Sequence, residues 1–238
     1  MGATRVMRRQ DWGFYASLVG IAGAAVAGLR WPAVTLLCVV LAVAATWAAK
    51  VASRRHPEPM PYAHRWTLAL TRPFFPSWAL RRALDPQPGQ RILELGPGTG
   101  RHAVAMARAV APCGRIDVLD IQPAMVGAVA ARASRRGAAN VDATVGDAHH
   151  LPWPDATFDA AYLVTVLGEI PDQEAALHEL ARVVRPGGRV VVGELIGDPH
   201  WVSPGALERR AAEAGLRLER RIGSPLGYFA VLRTGAGP

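Results

Sequence analysis

Three glycines at alternate positions, Gly96, Gly98 and Gly100, follow the run Ile92-Leu93-Glu94-Leu95 and lead into an apolar stretch from His102 to Val110. A chain needs glycine where its backbone must pass close to a ligand or take up positive φ. A buried strand, a glycine turn and a helix N-terminus in succession build a nucleotide site at the carboxyl end of a parallel sheet. Arg101 stands where the dinucleotide fingerprint G-x-G-x-x-G would require its last glycine, so the turn suits a nucleoside-like ligand with less demand for pyrophosphate. Asp120 closes a second apolar run, Arg115 to Asp120. It follows the turn by about 20 residues, the interval at which such folds set an acid on ribose hydroxyls. Capping the helix that begins near Pro123 is its other reading.

The elements that must hold these residues alternate along the chain. Pro123 suits the first turn of a helix running through Ala124 to Arg136. Val141 to Gly146 reads as a third strand followed by Asp147-Ala148, and Phe158 to Val164 as a fourth. A helix from Asp172 to Val184 stops at Arg185-Pro186-Gly187-Gly188, and Arg189 to Leu195 is a fifth strand. Strands alternating with helices argue for βαβ units and a parallel sheet. Pro204 to Ala214 is a further helix with Gly215 as its stop. Leu216 to Ile222 and Tyr228 to Arg233 are strands joined too tightly for a crossover, so they pair antiparallel.

Residues 86–238 resemble a class I S-adenosylmethionine-dependent methyltransferase. The likeness rests on Glu94-Leu-Gly-Pro-Gly-Thr-Gly100, the strand-end Asp120, the step Gly146-Asp147-Ala148, Phe158-Asp159, and Leu180-Ala-Arg-Val-Val-Arg-Pro-Gly-Gly188 ahead of a strand. It implies an α/β, Rossmann-like, seven-stranded mixed sheet in the order 3-2-1-4-5-7-6. S-adenosylmethionine is the implied cofactor. Gly96, Gly98 and Gly100 would pass beneath its methionine and ribose, and Glu94 would meet its amino group or satisfy local backbone N–H groups. Asp120 would accept from the ribose hydroxyls, and Ile121 would flank the adenine or serve the core. Asp147 would meet the adenine amino group or close an Asx turn, with Ala148 offering its N–H. Val164 and Thr165 would line the methionine side. His102 reads as an exposed first-turn residue, and His149 and His150 as loop residues.

Methyl transfer from a sulfonium is an in-line displacement, so the protein chiefly orders the acceptor and excludes water. A base matters only when the acceptor must lose a proton first. Beyond strands four and five, where this fold collects substrate groups, stand Glu169, Asp198, His200 and Trp201, with Tyr228 in the final hairpin. His200, Glu169 and Tyr228 are the candidate catalytic groups, His200 first because histidine is the side-chain type that ordinarily changes charge near neutrality. The motif reports the cofactor and leaves the acceptor open. Its run resembles phospholipid N-methyltransferases and ubiquinone/menaquinone-type methyltransferases, which points to a lipid-like or apolar acceptor. A polar metabolite or protein acceptor, and a cofactor-binding scaffold without turnover, are the other readings.

The first 55 residues carry a second message. Trp12 to Leu29 and Ala33 to Ala49 contain no charged residue, and Arg30-Trp31-Pro32 separates them. As helices they would measure about 25–27 Å, near the lower limit for the hydrocarbon core. They predict a two-helix transmembrane hairpin over residues 1–55, with helices at about 12–29 and 33–49. A hairpin packed on the soluble domain is the rival reading. A cleaved signal peptide would show a single apolar core. Arg5, Arg8 and Arg9 before, and Lys50, Arg54 and Arg55 after, place both ends and the catalytic domain in the cytoplasm, at the inner membrane. Residues 56–85 then form a proline-rich linker, His56 to Pro61, and a segment of interleaved aromatics and arginines suited to an interface. That segment could cover the active-site mouth, with a short helix Trp78 to Leu84 capped by Ser77.

The net charge is +8. A basic chain favours anionic membranes or nucleic acid. Arginines flanking apolar spans make lipid the simpler partner, and no nucleic-acid module or zinc spacing is present. Cys38 and Cys113 form neither a disulfide framework nor a metal site. The oligomeric state is not legible.

Overall fold

The computed structural model describes residues 32–55, 59–69, 75–224 and 226–235. The chain divides into two compact units, 1–58 and 59–238.

The described part of the first unit is one helix, α1 (Pro32–Arg55). It takes in the second apolar run and continues through Lys50, Arg54 and Arg55. Leu36, Leu37, Leu41, Val43 and Trp47 are exposed. The first run, 12–29, lies outside the described residues. Among the described residues no helix is long and apolar enough to cross a membrane. The expected transmembrane hairpin is thus not supported. The uncharged stretch of α1 reaches only about 25 Å against a hydrocarbon core of about 30 Å, and its last turns are charged.

The second unit is a seven-stranded sheet ordered β3-β2-β1-β4-β5-β7-β6, as the resemblance implies. Its strands are β1 (Arg91–Leu95), β2 (Arg115–Asp120), β3 (Val141–Val145), β4 (Phe158–Val164), β5 (Val184–Leu195), β6 (Leu216–Ser224) and β7 (Gly227–Thr234). The first five are parallel, and β7 runs antiparallel between β5 and β6. Central strands buried on both faces need apolar residues at nearly every position. Alternation sorts them. Leu93, Leu95, Ala161, Leu163, Val190 and Val192 face α5 (Gln173–Val183) and α6 (Pro204–Glu213). Ile92, Ala160, Tyr162 and Val191 face α2 (Ser77–Leu84), α3 (Arg101–Val110) and α4 (Pro123–Arg135). The edge strand β6 carries exposed Arg217, Arg220 and Arg221, charges that discourage further strand pairing.

Two local expectations change. Arg185-Pro186-Gly187-Gly188 does not simply end a helix. Val184 already pairs with Phe158, and the four residues form an irregularity before Arg189 rejoins the ladder opposite Ala160. Ser77 is inside α2, which starts after Pro76 with no side-chain cap, and its hydroxyl meets His102 instead (3.2 Å). The helix buries Leu80, Ala83 and Leu84 and exposes Trp78, Arg81 and Arg82. It therefore packs its apolar side on the sheet and turns Trp78, Arg81 and Arg82 outward.

The loop after β5 rests on the short 3-10 turn Leu167–Glu169. A Cβ at Gly168 would overlap the carbonyl oxygen of His200. Gly168→Ala should therefore lower the urea midpoint by the equivalent of about 1–3 kcal/mol, the usual penalty for overpacking. An unchanged midpoint would mean that this contact is not tight.

Candidate functional site

The turn after β1 sits at the sheet's switch point, between β2 and β4. Gly96 has φ +61° and donates its N–H to the Leu119 carbonyl at 2.9 Å. A Cβ there would lie 2.5 Å from Val166 Cγ2. Gly98 is also left-handed, at φ +53°. Gly100, at φ +74°, caps the start of α3, and a Cβ on it would press on Val129.

A cavity of about 120 Å³ opens at this turn. Gly96, Gly98, Asp120, Ile121, Asp147, Ala148, Val164 and Thr165 line it, as does Glu169. Gly100 is absent from its wall, and Glu94 faces a second cavity on the other side of the turn. Asp120 is 8% exposed, and one oxygen accepts the Gln122 N–H at 2.9 Å. Burial raises its pKa, a shift opposed by that hydrogen bond. It thus bonds backbone two residues on, and Gln122 occupies the helix cap without a side-chain bond. Asp147 Oδ1 accepts from the His149 backbone at 2.9 Å and from His149 Nδ1 at 2.6 Å. It closes the anticipated Asx turn at the cavity wall. The His149 backbone bond is the main cause of its lowered pKa. Ile121 is 52% exposed, an apolar surface available at the cavity.

Thr165 carries strain. Its φ is +55°, rare for a β-branched residue and worth on the order of 1–3 kcal/mol. Its N–H donates to the Gly193 carbonyl at 2.8 Å, which holds it there. Val164 and Thr165 line both cavities.

Glu94 is buried and accepts the Tyr162 hydroxyl at 2.8 Å. Burial pushes its pKa up to about 8, against the opposing pulls of Tyr162, Arg101 and the Ala103 N–H. The local-satisfaction reading describes its present bonds. His102 is buried, not exposed, because it lies between α2 and α3. Arg101 Nη2 lies 3.0 Å from its Nε2. A guanidinium cannot accept, so Nε2 accepts and Nδ1–H donates to Ser77 Oγ. Burial, then Arg101, lowers its pKa to about 3.

The second cavity measures about 420 Å³. Arg65, Trp66, Phe75, Arg101, His102 and Arg132 are among its walls. Ala63, Arg65 and Trp66, from the segment after the proline-rich stretch, line this cavity. Met60, which no residue pattern singled out, is gripped at both ends. Its N–H donates to Glu169 Oε2 at 3.0 Å, and its carbonyl accepts from Gln122 Nε2 at 2.9 Å.

Of the candidate catalytic groups, Glu169 lines the smaller of these two cavities. Burial raises its pKa well above the carboxylate range, and Asp198 adds to this. His200 lines neither cavity, and its backbone N–H bonds Asp198 Oδ1 at 2.8 Å. Tyr228 is buried, and its hydroxyl donates to the Val202 carbonyl at 2.8 Å. Opposite it in register, buried Glu194 accepts the Val202 N–H at 3.1 Å. These two side chains anchor the loop after β5, a role that strand alternation alone does not reveal. No group of three metal-ligating side chains occurs among the described residues.

Residues 92–188 match the family described as "methyltransferase domain". A demethylmenaquinone methyltransferase of Mycolicibacterium paratuberculosis is 42% identical over 116 residues, covering 49% of this chain and 46% of that protein. One from Mycobacterium tuberculosis is 36% identical over 146 residues, 61% of this chain and 58% of that protein. The chain thus spans about half the length of these curated relatives. Among solved structures, a SAM-dependent methyltransferase from Aquifex aeolicus superposes with TM-score 0.68 at 19% identity, covering 74% of this chain and 98% of that one. The [4+2]-cyclase SpnF superposes with TM-score 0.61 at 21% identity, covering 68% of this chain and 80% of that one. These structures share the fold. The sequence match to a methyltransferase domain thus covers residues 92–188, and the solved structures share the fold of the second unit.

Two buried groups give the domain a pH signature. Glu94 keeps its proton to about pH 8 when folded but to about 4.3 when unfolded. The folded form then binds more protons, so this group's stabilisation is lost as pH rises between those values. His102 works oppositely between about 3 and its ordinary value of 6.5, where the unfolded form binds more protons. Above pH 6.5 only Glu94 of this pair still titrates. Stability should fall between pH 6.5 and 8, at up to about 1.4 kcal/mol per pH unit. Glu94→Gln should flatten that slope in urea titrations, and an equally steep slope in the variant would refute the assignment.

Proposed function

We propose that the full chain transfers the methyl group of S-adenosylmethionine to an apolar or lipid-like acceptor at a cytoplasmic membrane face. The observation that carries the reading is the cavity joining the left-handed Gly96 and Gly98 to the carboxylates of Asp120 and Asp147. The fit is specific. Gly96 has no room for a Cβ, so backbone itself forms the floor. Asp120 uses one oxygen on Gln122 and has the other for a ribose hydroxyl. The exposed face of Ile121 suits an adenine ring, while Val164 and Thr165 border the methionine end.

When bound, the cofactor supplies a sulfonium-activated methyl group. The protein's residues orient the acceptor, exclude water and hold protons in place. Protonated Glu169 serves as the latch on Met60, and in that state it is not a base for an acceptor. The aromatic walls of Trp66 and Phe75 favour an apolar acceptor, and the relatives named for demethylmenaquinone point the same way. The exposed apolar side chains of α1 and the apolar run before it favour membrane attachment. A polar or protein acceptor would leave those side chains to localisation alone. The cyclase among the structural neighbours shows why turnover must be read as methyl transfer and not as cofactor binding.

Full-length protein with labelled S-adenosylmethionine and a total membrane lipid extract should yield labelled lipid, and should float with anionic vesicles. Asp120→Ala should weaken S-adenosylhomocysteine binding at least tenfold by calorimetry, equivalent to about 1.4 kcal/mol. Failure of the wild type to bind S-adenosylhomocysteine would refute the cofactor assignment. Methylation confined to soluble extracts would refute the apolar acceptor.

A further inference from the structure

Asp147 and His149 form a closed arrangement at the wall of the smaller cavity. Asp147 Oδ1 accepts twice from one residue, from the His149 backbone N–H at 2.9 Å and from the ring Nδ1 at 2.6 Å. The far side of the same ring reaches another element. His149 Nε2 lies 3.3 Å from the backbone nitrogen of Asp172, the N-cap of α5. A backbone N–H only donates, so Nε2 accepts and carries no proton. The ring proton is therefore on Nδ1, where it is given to the Asp147 carboxylate. With both nitrogens engaged, the ring is a strut between the loop after β3 and the start of α5. Asp172 is itself fixed, because its side chain accepts the Ala175 N–H at 2.9 Å. Ile170 and Pro171, which lead into this cap, line the same cavity. The Asp147 side chain is 47% exposed, so packing alone does not set its rotation. The two bonds to Oδ1 do, and they leave Oδ2 with capacity to accept.

We propose that His149 is a positioning residue for base recognition, holding Asp147 Oδ1 so that Oδ2 meets the amino group of an adenine. The proposal rests on the cofactor reading above and adds the residue that sets its base selectivity. In that reading Oδ2 accepts from the exocyclic amino group, and the Ala148 N–H donates to the adjacent ring nitrogen. Hypoxanthine presents a carbonyl and an N–H at those two positions. Both contacts are then reversed, and a site built on hydrogen bonds rejects a base that cannot make them. A carboxylate free to rotate would lose part of that discrimination.

Full-length protein is titrated by calorimetry with S-adenosylhomocysteine and with S-inosylhomocysteine, which differ only at this base edge. The adenosyl ligand should bind at least tenfold tighter. His149→Ala should cut that preference at least threefold, by weakening the adenosyl ligand while the inosyl ligand changes less than twofold. His149→Asn keeps a donor near the place of Nδ1 and should restore part of the preference. His149→Phe keeps a ring without its nitrogens, and carries the test if His149→Ala fails to fold. A wild type that binds both ligands equally, or a preference that survives both His149→Ala and His149→Phe, would overturn the proposal. So would equal weakening of the two ligands, because His149 would then support the loop and not the base contact. A wild type that binds neither ligand would count against the cofactor reading instead.

Discussion

The turn after β1 admits no side chain at Gly96, and the rest of the site follows from that exclusion. The residue is left-handed, its N–H is fixed to β2 through Leu119, and Val166 beyond β4 occupies the space of a Cβ. The backbone is therefore wedged between the ends of the two strands that flank β1. The helices that follow β1 and β4, α3 and α5, lie on opposite faces of the sheet at this point of the order β3-β2-β1-β4-β5, which opens a crevice at the carboxyl ends. Asp120 from the end of β2, and Val164 and Thr165 from the end of β4, reach the crevice because those strands are in parallel register with β1. Strain at Thr165 is local, and the β5 hydrogen bond through Gly193 sustains it.

Buried carboxyls form a second common feature. Glu94, Glu169 and Glu194 all have raised pKa values, with burial as the leading cause in each. None is paired with a cation in a close salt bridge among the described residues, and each accepts from a neutral donor: a phenol, the Met60 N–H and the Val202 N–H. A protonated carboxyl avoids much of the desolvation cost of a buried charge, and it can still accept one good hydrogen bond. Each fastens a different segment: Glu94 the start of α3 and β4, Glu169 the Met60 strap, Glu194 the loop after β5. The elements around the crevice are thus fixed by uncharged bonds, which leaves the local field to the remaining charged groups.

Much of this was legible from residue types. The antiparallel β7 and the bounds of β2 and β4 follow from short apolar runs and their connections, because buried parallel strands leave a continuous apolar signature, whereas the strand order came only from the family resemblance. Eight of the ten expected cofactor residues line one cavity, since motif spacing maps directly onto strand ends. The misplaced ones depend on long-range packing. His102 reads as exposed from its own helix, and only the arrival of α2 buries it. His200 and Tyr228 have suitable chemistry, but the backbone of Val202 turns Tyr228 into an anchor. The Met60 strap had no local signature beyond its prolines, because its partners Gln122 and Glu169 are 62 and 109 residues away.

The charge distribution joins these observations. The net charge of +8 suggested only a basic surface. The charged side chains differ between the two cavities, with Asp120 and Asp147 along the smaller and Arg65, Arg101 and Arg132 along the larger, while burial keeps Glu169 and Glu94 protonated. Coulomb interactions strengthen where water is excluded, so the two sides have opposite preferences for ligand charge. A cofactor with a cationic sulfonium and ribose donors suits the acidic side. Gly96 and Gly98 border both cavities, so the occupants of the two meet at one thin stretch of backbone.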